Sequence, residues 1–260
     1  MKTPRSFVLL AALLLAGPWA RSAEAEAPLA LCLNNDAPPF SSAATPERGI
    51  DVEVAQALAR QLGRTPRLVW VQVPNRGGLA RALKQSLAAG QCDAYLGVPR
   101  DPDVARELAE RKLLASGPYL TLGYVLVARA GSAPPTVAAL RRARKVGAAS
   151  ATPADLYLHR MQLPRAPYPG RAALIDGLKA GEIDLALVWS SALTGERAAG
   201  LVQGSEAIDD ADLYTDLTVA TRSADAALSQ QIAAAVEALR ADGRFVAIAR
   251  THGLPRVARP

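Results

Sequence analysis

The sequence predicts an α/β protein built from two similar βαβαβ lobes that are joined by two hinge crossings. The first observation is an internal repeat, since the pattern Leu-x3-Leu-x-Ala-Gly-x2-Asp begins at Leu83 and again at Leu174. In each copy an amphipathic helix is followed by a glycine stop, an Asp and an apolar strand. The second observation is the length of the repeat: Asp93 and Asp184 are 91 residues apart, so the repeated unit is a whole lobe. Two similar lobes imply a cleft, which is a common place for a small-ligand site.

The strands and helices of the first lobe are predicted from the spacing of the apolar residues along the chain. Alternating, β-branched segments predict strands, and apolar residues spaced by three and four predict helices. Gly63 ends the first helix, and Thr65 and Pro66 separate it from the next strand. The predicted order is strand 29–33, helix 51–62, strand 67–73, helix 78–89 and strand 93–98.

The second lobe repeats this order, beginning with a strand at 145–149 and a helix at 153–161 that has Pro153 in its first turn. A short strand at 165–168, a helix at 171–180 and a strand at 184–189 complete it. Segments 123–129 and 217–222 resemble strands and join the two halves. The closing helices 225–241 and 244–251 have no counterpart in the second copy, so we expect the chain to return to the first lobe. This assigns residues 26–117 and 223–260 to lobe 1 and residues 118–222 to lobe 2.

The start of the chain indicates export. Lys2 and Arg5 precede an apolar run at 7–16, and the small-residue pattern Ala23-Glu24-Ala25 follows. This is typical of a secretory signal peptide, here residues 1–25 with cleavage after Ala25, and it predicts a periplasmic protein. The apolar run has about half the length that a membrane-spanning helix needs, so we expect no span in the mature chain.

Composition and charge narrow the classes of function. Half of the residues are apolar and 21% are charged, as in ordinary globular proteins, and the formal net charge is +6. The export signal and the low aromatic content argue against nucleic acid as a partner. No Cys-x-x-Cys, glycine-rich phosphate loop or histidine cluster occurs, so we predict neither a metal nor a cofactor. We expect a monomer.

Cys32 and Cys92 are the only cysteines of the chain, and in an oxidising compartment such a pair most often forms a disulfide. Cys32 lies in the first predicted strand and Cys92 directly precedes the third. If the lobe has the strand order 2-1-3, these strands are neighbours and the two cysteines can meet. We therefore predict a structural disulfide.

Candidate ligand-binding residues come from the loops that follow the strands, because ligands of open α/β sheets bind beyond the carboxyl ends of the strands. The segment from Ser150 to Pro153 leads into a helix N-terminus, which favours an anion. Phe40 and Trp189 are expected to supply flat apolar walls, although Trp189 also fits a core position at a strand end. The predicted ligand-binding residues are Asp36, Phe40, Asn75, Arg76, Pro99, Arg100, Ser150, Thr152, Trp189 and Ser190.

The order of several short motifs resembles the family 3 extracytoplasmic solute-binding proteins across essentially the whole mature chain. These motifs are Asp36-x2-Pro39-Phe40, Gly49-Ile50-Asp51-Val52-Glu53, Leu87-x-Ala89-Gly90-x2-Asp93, Gly117-Pro118-Tyr119 and Leu239-x3-Gly243-x4-Ile248. The resemblance implies the type II periplasmic-binding-protein fold. It also implies that the clamp holds a small solute in its cleft and presents it to the permease of an ABC-type transporter, without catalysis.

Two departures from that family bear on the ligand. Its amino-acid binders grip the α-carboxylate with an Arg in a Thr-x-x-Arg setting after the third strand, where this chain has Val98-Pro99-Arg100. They hold the ammonium with an Asp where this chain has Ser190 after Trp189. Because both charged anchors are altered, we expect a small polar or anionic solute rather than a free α-amino acid.

A subgroup resemblance suggests a different partner. Five short motifs resemble those of the J-type proteins of methanol oxidation. They are Cys32 with Pro39-Phe40, Gly90-Gln91-Cys92-Asp93, Gly97-Val98-Pro99, Val188-Trp189 and Gly253-Leu254-Pro255. These proteins are associated with periplasmic quinoprotein (PQQ) alcohol dehydrogenases. The alternative function is therefore that of an accessory protein to such a dehydrogenase.

An enzyme is the third alternative, because some relatives with this clamp fold dehydrate prephenate-like acids, as cyclohexadienyl dehydratase does. That chemistry needs a positioned general acid. Glu196 and Glu206 are the only late acidic residues in loop-like surroundings, and a solvated surface explains both. We therefore predict a binding protein and no catalytic residue.

Overall fold

The computed structural model describes residues 27–194 and 198–257. The predicted signal peptide, residues 1–25, lies outside the described residues. Within these two ranges no helix is both long and apolar enough to cross a membrane.

Strands and helices alternate along most of the chain. The strands are β1 (Leu29–Asn34), β2 (Asp36–Ala37), β3 (Ser41–Ser42), β4 (Pro66–Val71), β5 (Ala94–Pro99), β6 (Leu113–Ala115), β7 (Leu120–Arg129), β8 (Val146–Ala149), β9 (Arg165–Tyr168), β10 (Leu185–Trp189), β11 (Leu201–Gln203) and β12 (Tyr214–Arg222). The helices are α1 (Ile50–Gln61), α2 (Gly78–Gln85), α3 (Pro102–Glu110), α4 (Pro153–Arg160), α5 (Arg171–Ala180), α6 (Ala226–Ala241) and α7 (Arg244–Thr251). Short 3-10 turns occur at Val137–Arg141, Ser190–Ala192 and Ala211–Leu213.

The sheet has the same arrangement in each half. Its strand order is β4-β1-β5-β12-β7-β10-β8-β9, with β6 added on β12 and β11 on β7. The parallel strands β4-β1-β5 and β9-β8-β10 each have the order 2-1-3 when counted within their own lobe. The prediction of two similar βαβαβ lobes is confirmed.

Strands β7 and β12 form the connection between the halves. They pair with each other in antiparallel register from Tyr214 opposite Gly123 to Leu217 opposite Leu120. Beyond that stretch, β7 pairs with β10 of one half and β12 pairs with β5 of the other. The two crossings are thus long paired strands, and both are longer than the predicted segments 123–129 and 217–222. The exact residue boundaries of the lobes stay a prediction.

The repeated Asp has the same structural task in both lobes. Asp93 accepts a hydrogen bond from the backbone N–H of Ala30 at 2.8 Å, next to the start of β1. Asp184 accepts from the N–H of Arg144 at 2.8 Å, just before β8. Each carboxylate therefore ties the third strand of its lobe to the first, and the repeat reflects packing rather than ligand binding.

The apolar clusters lie on the two faces of each half-sheet. In the first half, α1 packs on β1 and also contacts the closing helices α6 and α7. Leu58, Ile232 and Ile248 are buried in this shared cluster. The second half has clusters around Leu158 of α4 and Leu178 of α5.

Several local predictions were incomplete. Helix α3 and the short strands β2, β3, β6 and β11 were not predicted, although Asp101 caps α3 by accepting from the Val104 N–H at 2.8 Å and Pro102 occupies its first turn. The predicted helix 78–89 ends earlier, at Gln85. The Ser86 hydroxyl donates to the Ala82 carbonyl at 2.7 Å, and residues beyond it form turns.

The disulfide is present as predicted, with Cys32 and Cys92 joined at a Cα separation of 5.7 Å. Cys32 pairs with Tyr95 across the β1 and β5 ladder, so the neighbouring strands bring the two cysteines together. Both are buried in the same apolar cluster.

Candidate functional site

Two cavities lie at the carboxyl ends of the parallel strands, one in each lobe. The hinge strands supply walls to both: Leu122 and Leu217 line the lobe-1 cavity, while Tyr124 and Thr215 line the lobe-2 cavity. Because Leu122 and Tyr124 are two residues apart on one strand, these wall positions are only about 7 Å apart. Both cavities therefore use neighbouring positions of the hinge strands as walls, which is where the sequence predicts a cleft.

The lobe-2 cavity has a volume of about 500 Å³. Its walls come from the strand ends, the starts of α4 and α5, and the hinge. The lining residues are Tyr124, Ala149, Ser150, Thr152, Pro153, Gly170, Arg171, Leu174, Leu187, Trp189, Asp212 and Thr215.

The start of α4 is held tightly at the edge of this cavity. Thr152 caps the helix by accepting from the Asp155 N–H at 3.3 Å, and its own hydroxyl donates to the Ala149 carbonyl at 2.7 Å. Ala151 has a φ of 59°, a left-handed conformation that is uncommon for a residue with a side chain. Its N–H donates to the Asp155 carboxylate at 3.0 Å, and Arg165 also binds that carboxylate. These contacts maintain a strained turn at the cavity, which is typical of functional sites.

Arg171 brings positive charge to the lobe-2 cavity. It is the first residue of α5, is exposed, and makes no ion pair with any described residue. Burial raises the pKa of Tyr124, while a hydrogen bond with Thr152 and the charge of Arg171 oppose that shift, so these three side chains are close together. Asp212 also lines the cavity, and its carboxylate pairs with the Arg160 guanidinium at 3.5 Å, which offsets its negative charge. The arrangement offers the guanidinium of Arg171 and the hydroxyl of Ser150 to an anion, whereas the Thr152 hydroxyl is already engaged with Ala149.

Trp189 and Tyr124 form an aromatic wall. Their ring centroids are 5.0 Å apart at an interplanar angle of 64°, an edge-to-face contact that β10 and β7 set by pairing these residues directly. Trp189 is half-buried and also packs against the lobe-1 apolar cluster. It therefore serves both as a cavity wall and as a strand-end packing residue, the two alternatives that the sequence left open.

The lobe-1 cavity is smaller, at about 290 Å³, and mainly apolar. Its lining residues are Asn34, Ala37, Phe40, Asp51, Val73, Leu79, Tyr95, Leu96, Gly97, Pro99, Leu122 and Leu217. Asp51 is 4% exposed and accepts a hydrogen bond from the Tyr119 hydroxyl at 2.6 Å. Burial raises the pKa of Asp51 to about 6, and the Tyr119 hydrogen bond opposes the shift.

Half of the predicted ligand-binding residues line these cavities. Ser150, Thr152 and Trp189 come together in lobe 2, and Phe40 and Pro99 come together in lobe 1.

The other half lie elsewhere in the structure. Asp36, Asn75, Arg76 and Arg100 are exposed and line neither cavity. Ser190 is fully buried, and its Oγ accepts from the Gly123 N–H of the hinge at 3.3 Å.

The sequence reasoning missed Arg171, although the rule that it used applies there. The predicted ligand-binding residues came from the loops after five strands. The loop after the short strand β9, which ends at Tyr168 and leads to Arg171, was not among them. Tyr124 was missed because it lies inside a hinge strand. Asp51 and Tyr95 were missed because their positions resemble ordinary helix and strand interiors.

No group of three or more His, Cys, Asp or Glu among the described residues could hold a metal ion. Glu206, one of the two late acidic residues considered for dehydration, lines neither cavity. Glu206 is exposed and accepts from the Val137 N–H, so it acts as a loop contact. Glu196 lies outside the described residues.

The family of the chain follows from its sequence. The sequence model of the bacterial extracellular solute-binding proteins, family 3, matches residues 29–254, so the chain belongs to this family. None of the curated proteins compared with the chain matches it.

Solved structures show the same fold at low sequence identity. The L-cystine solute receptor of Neisseria gonorrhoeae, in its unliganded open conformation, is 19% identical with a TM-score of 0.68, over 86% of this chain and 92% of that one. MxaJ from Methlophaga aminisulfidivorans MPT is 21% identical with a TM-score of 0.58, over 87% and 99%. The periplasmic binding protein XoxJ from Methylobacterium extorquens AM1 is 18% identical with a TM-score of 0.56, over 89% and 100%. These likenesses establish the periplasmic-binding-protein fold.

Proposed function

We propose that this protein is exported to the periplasm and captures a small anionic solute, such as a carboxylate, in the cleft between its lobes for an ABC-type transporter. The observation that carries this proposal is the lobe-2 cavity with Arg171 at its edge, free of ion pairs among the described residues. An arginine fork matches the two oxygens of a carboxylate, and the exposed hydroxyl of Ser150, which also lines the cavity, adds a further donor. Trp189 and Tyr124 cover the apolar part of the solute.

The ligand is not a free α-amino acid. The position where amino-acid binders of the family are expected to carry the ammonium-binding Asp is occupied by Ser190, which is buried and bound to the hinge. Arg100 after β5 is exposed and does not line the lobe-1 cavity. The carboxylate and the ammonium of an α-amino acid therefore both lack their usual partners. The arginine that we propose for the solute, Arg171, lies in lobe 2, whereas the family's carboxylate-binding Arg follows the third strand of lobe 1.

A second candidate function is that of an accessory protein to a periplasmic quinoprotein alcohol dehydrogenase. The observation in its favour is that residues shared with the J-type proteins have defined structural roles here. Cys32 and Cys92 form a disulfide, and Trp189 lines the lobe-2 cavity while it packs against the lobe-1 apolar cluster.

The first test is binding of straight-chain monocarboxylates and dicarboxylates of two to eight carbons, measured by isothermal titration calorimetry. We expect at least one to bind, and Arg171→Gln to weaken it by about 10- to 100-fold, because a charge-assisted contact is lost. Arg142→Gln is the matched control, since Arg142 is an exposed arginine of the same lobe that does not line the cavity. Equal weakening by the two variants, or no binding by any acid, would refute the anion site.

The second test separates the two candidate functions by native mass spectrometry of protein purified gently from periplasm. A retained small acid that is released on denaturation supports solute capture. An empty cleft together with a co-purifying dehydrogenase supports the accessory role instead. The same spectrum gives the mass of the mature chain, which should correspond to cleavage after Ala25.

A further inference from the structure

We propose that the lobe-1 cavity is a subsite for a primary ammonium group carried on an apolar chain. This deepens the proposed capture of an anionic solute and rests on it, because it assigns the other end of the same ligand. The solute would then carry its carboxylate toward lobe 2 and its amine toward lobe 1.

The first observation is the Tyr95 hydroxyl. Tyr95 is 1% exposed, lines the cavity, and its hydroxyl oxygen has no hydrogen-bond partner among the described residues. Buried hydroxyl groups almost always have a partner, since an unsatisfied one costs free energy. A group that enters the cavity would satisfy it.

The second observation is the carboxylate of Asp51, which supplies a negative charge to the same cavity. Its Oδ1 already accepts from the Tyr119 hydroxyl. Its Oδ2 faces Gly97, where an added Cβ would lie only 3.1 Å away. Gly97 also lines the cavity, so this oxygen lies at the cavity wall, at a position where a larger residue would crowd it.

The third observation is the character of the remaining walls. No Lys, Arg or His is found among the described lining residues, so no basic side chain of the cavity neutralises Asp51. The other walls are mostly apolar, with Phe40, Leu79 and Leu122 among them. A carboxylate would be repelled here, and a neutral hydroxyl would leave the charge unpaired. An ammonium group offers three donors, so it can serve both Asp51 and the oxygen of Tyr95.

The separation of the two cavities determines the kind of molecule. The ammonium partners and Arg171 line different cavities in different lobes, and even the hinge walls that these cavities have at Leu122 and Tyr124 are about 7 Å apart along β7, so a single ligand that reaches both must carry its two charges on separate carbons. An α-amino acid carries both charges on one carbon. The geometry therefore favours an ω-amino carboxylate.

The test of the subsite uses n-butylammonium, which has no carboxylate and so probes lobe 1 independently of Arg171. Binding is followed by protein NMR at pH 7.5, with n-butanol as the neutral comparison. We expect n-butylammonium to bind at least tenfold more tightly than n-butanol. We also expect Tyr95→Phe to weaken n-butylammonium by three- to tenfold and Asp51→Asn to remove its advantage over the alcohol. Tyr157→Phe is the control, because Tyr157 is a buried tyrosine of lobe 2 outside both cavities.

Equal binding of the amine and the alcohol, absence of amine binding, or an unchanged affinity in Tyr95→Phe would overturn the ammonium subsite. Tyr95→Phe removes only an unsatisfied hydroxyl, so loss of folding is not expected to hide the result.

A second series compares ω-amino carboxylates of four to eight carbons with the matching fatty acids. If both proposals hold, Tyr95→Phe reduces the benefit of the amine by three- to tenfold and leaves the fatty acids unchanged, while Arg171→Gln weakens both series. If only the ammonium subsite fails, the fatty acids still depend on Arg171 and the amine brings no benefit. If only the anion site fails, n-butylammonium still depends on Tyr95.

Discussion

The buried carboxylate of Asp51 predicts an unusual dependence of stability on pH. Burial raises its pKa from 3.8 to about 6 in the folded protein, with the Tyr119 hydrogen bond opposing the shift. Between these two values the folded state binds more protons than the unfolded state, so the free energy of unfolding falls as the pH rises. At about 1.4 kcal/mol for each pKa unit, the ionised side chain costs about 3 kcal/mol above pH 6.

Asp51→Asn removes this cost while keeping an oxygen that can accept from the Tyr119 hydroxyl. We expect the variant to be more stable than the wild type by up to about 3 kcal/mol at pH 7.5 and equally stable near pH 4, where Asp51 is protonated. Urea unfolding followed by circular dichroism at pH 4, 5, 6 and 7.5 measures the difference.

Asp155→Asn provides a control with the opposite sign. The hydrogen bond from Arg165 lowers the pKa of Asp155, so its ionised form stabilises the fold above the unfolded pKa and this contribution is lost as the pH falls. We expect Asp155→Asn to lose about 2 kcal/mol at pH 7.5 and less at low pH. A difference for Asp51→Asn that does not change with pH, or that has the sign of the Asp155 variant, would refute the reasoning.

Two further predictions concern stability. Replacement of both Cys32 and Cys92 by Ser should lower the free energy of unfolding by about 4 kcal/mol, because the disulfide closes a loop across 60 residues; a loss under 1 kcal/mol in urea unfolding would contradict this. Gly177→Ala should cost about 1–2 kcal/mol, since its Cβ would lie 2.5 Å from the Tyr168 hydroxyl and close to the ring. In a Tyr168→Ala background the same change should stabilise α5 through helix propensity, and a double-mutant cycle without this reversal would count against the clash.

In the proposed binding mode, the hinge strands β7 and β12 contact the solute directly. Strands β7 and β12 connect the lobes and also line both cavities, through Leu122 and Tyr124 on β7 and Leu217 and Thr215 on β12. A solute that contacts both lobes therefore also contacts the strands about which the lobes are joined. Closure around such a solute would be favoured by contacts that exist only when both cavities are filled.

The lobe architecture could be predicted because it depends on local patterns. The repeat from Leu83 and its copy from Leu174 marked a helix, a stop and a strand in each lobe, and the structure places these elements within a few residues. The Cys32–Cys92 disulfide could be predicted from the lone cysteine pair in an oxidising compartment, whereas the strand order 2-1-3 that makes β1 and β5 neighbours was only supposed and is given by the structure. The start of helix α3 is also marked in the sequence, by the capping Asp101 and by Pro102 in its first turn, so this helix was predictable although it was not predicted.

The site was only partly predictable, for a physical reason. Sequence determined which loops follow the strands, and it thereby identified Ser150, Thr152, Trp189, Phe40 and Pro99 as residues near the cleft. Tertiary structure alone decided which side chains at those strand ends share a cavity and which point to solvent, because neighbours in a parallel sheet are distant in the chain. It brought Arg171 beside Tyr124, and it placed Tyr95 and Asp51 around one small space. Periodicity reports which face of an element is buried, and it carries no information on the convergence of separate elements.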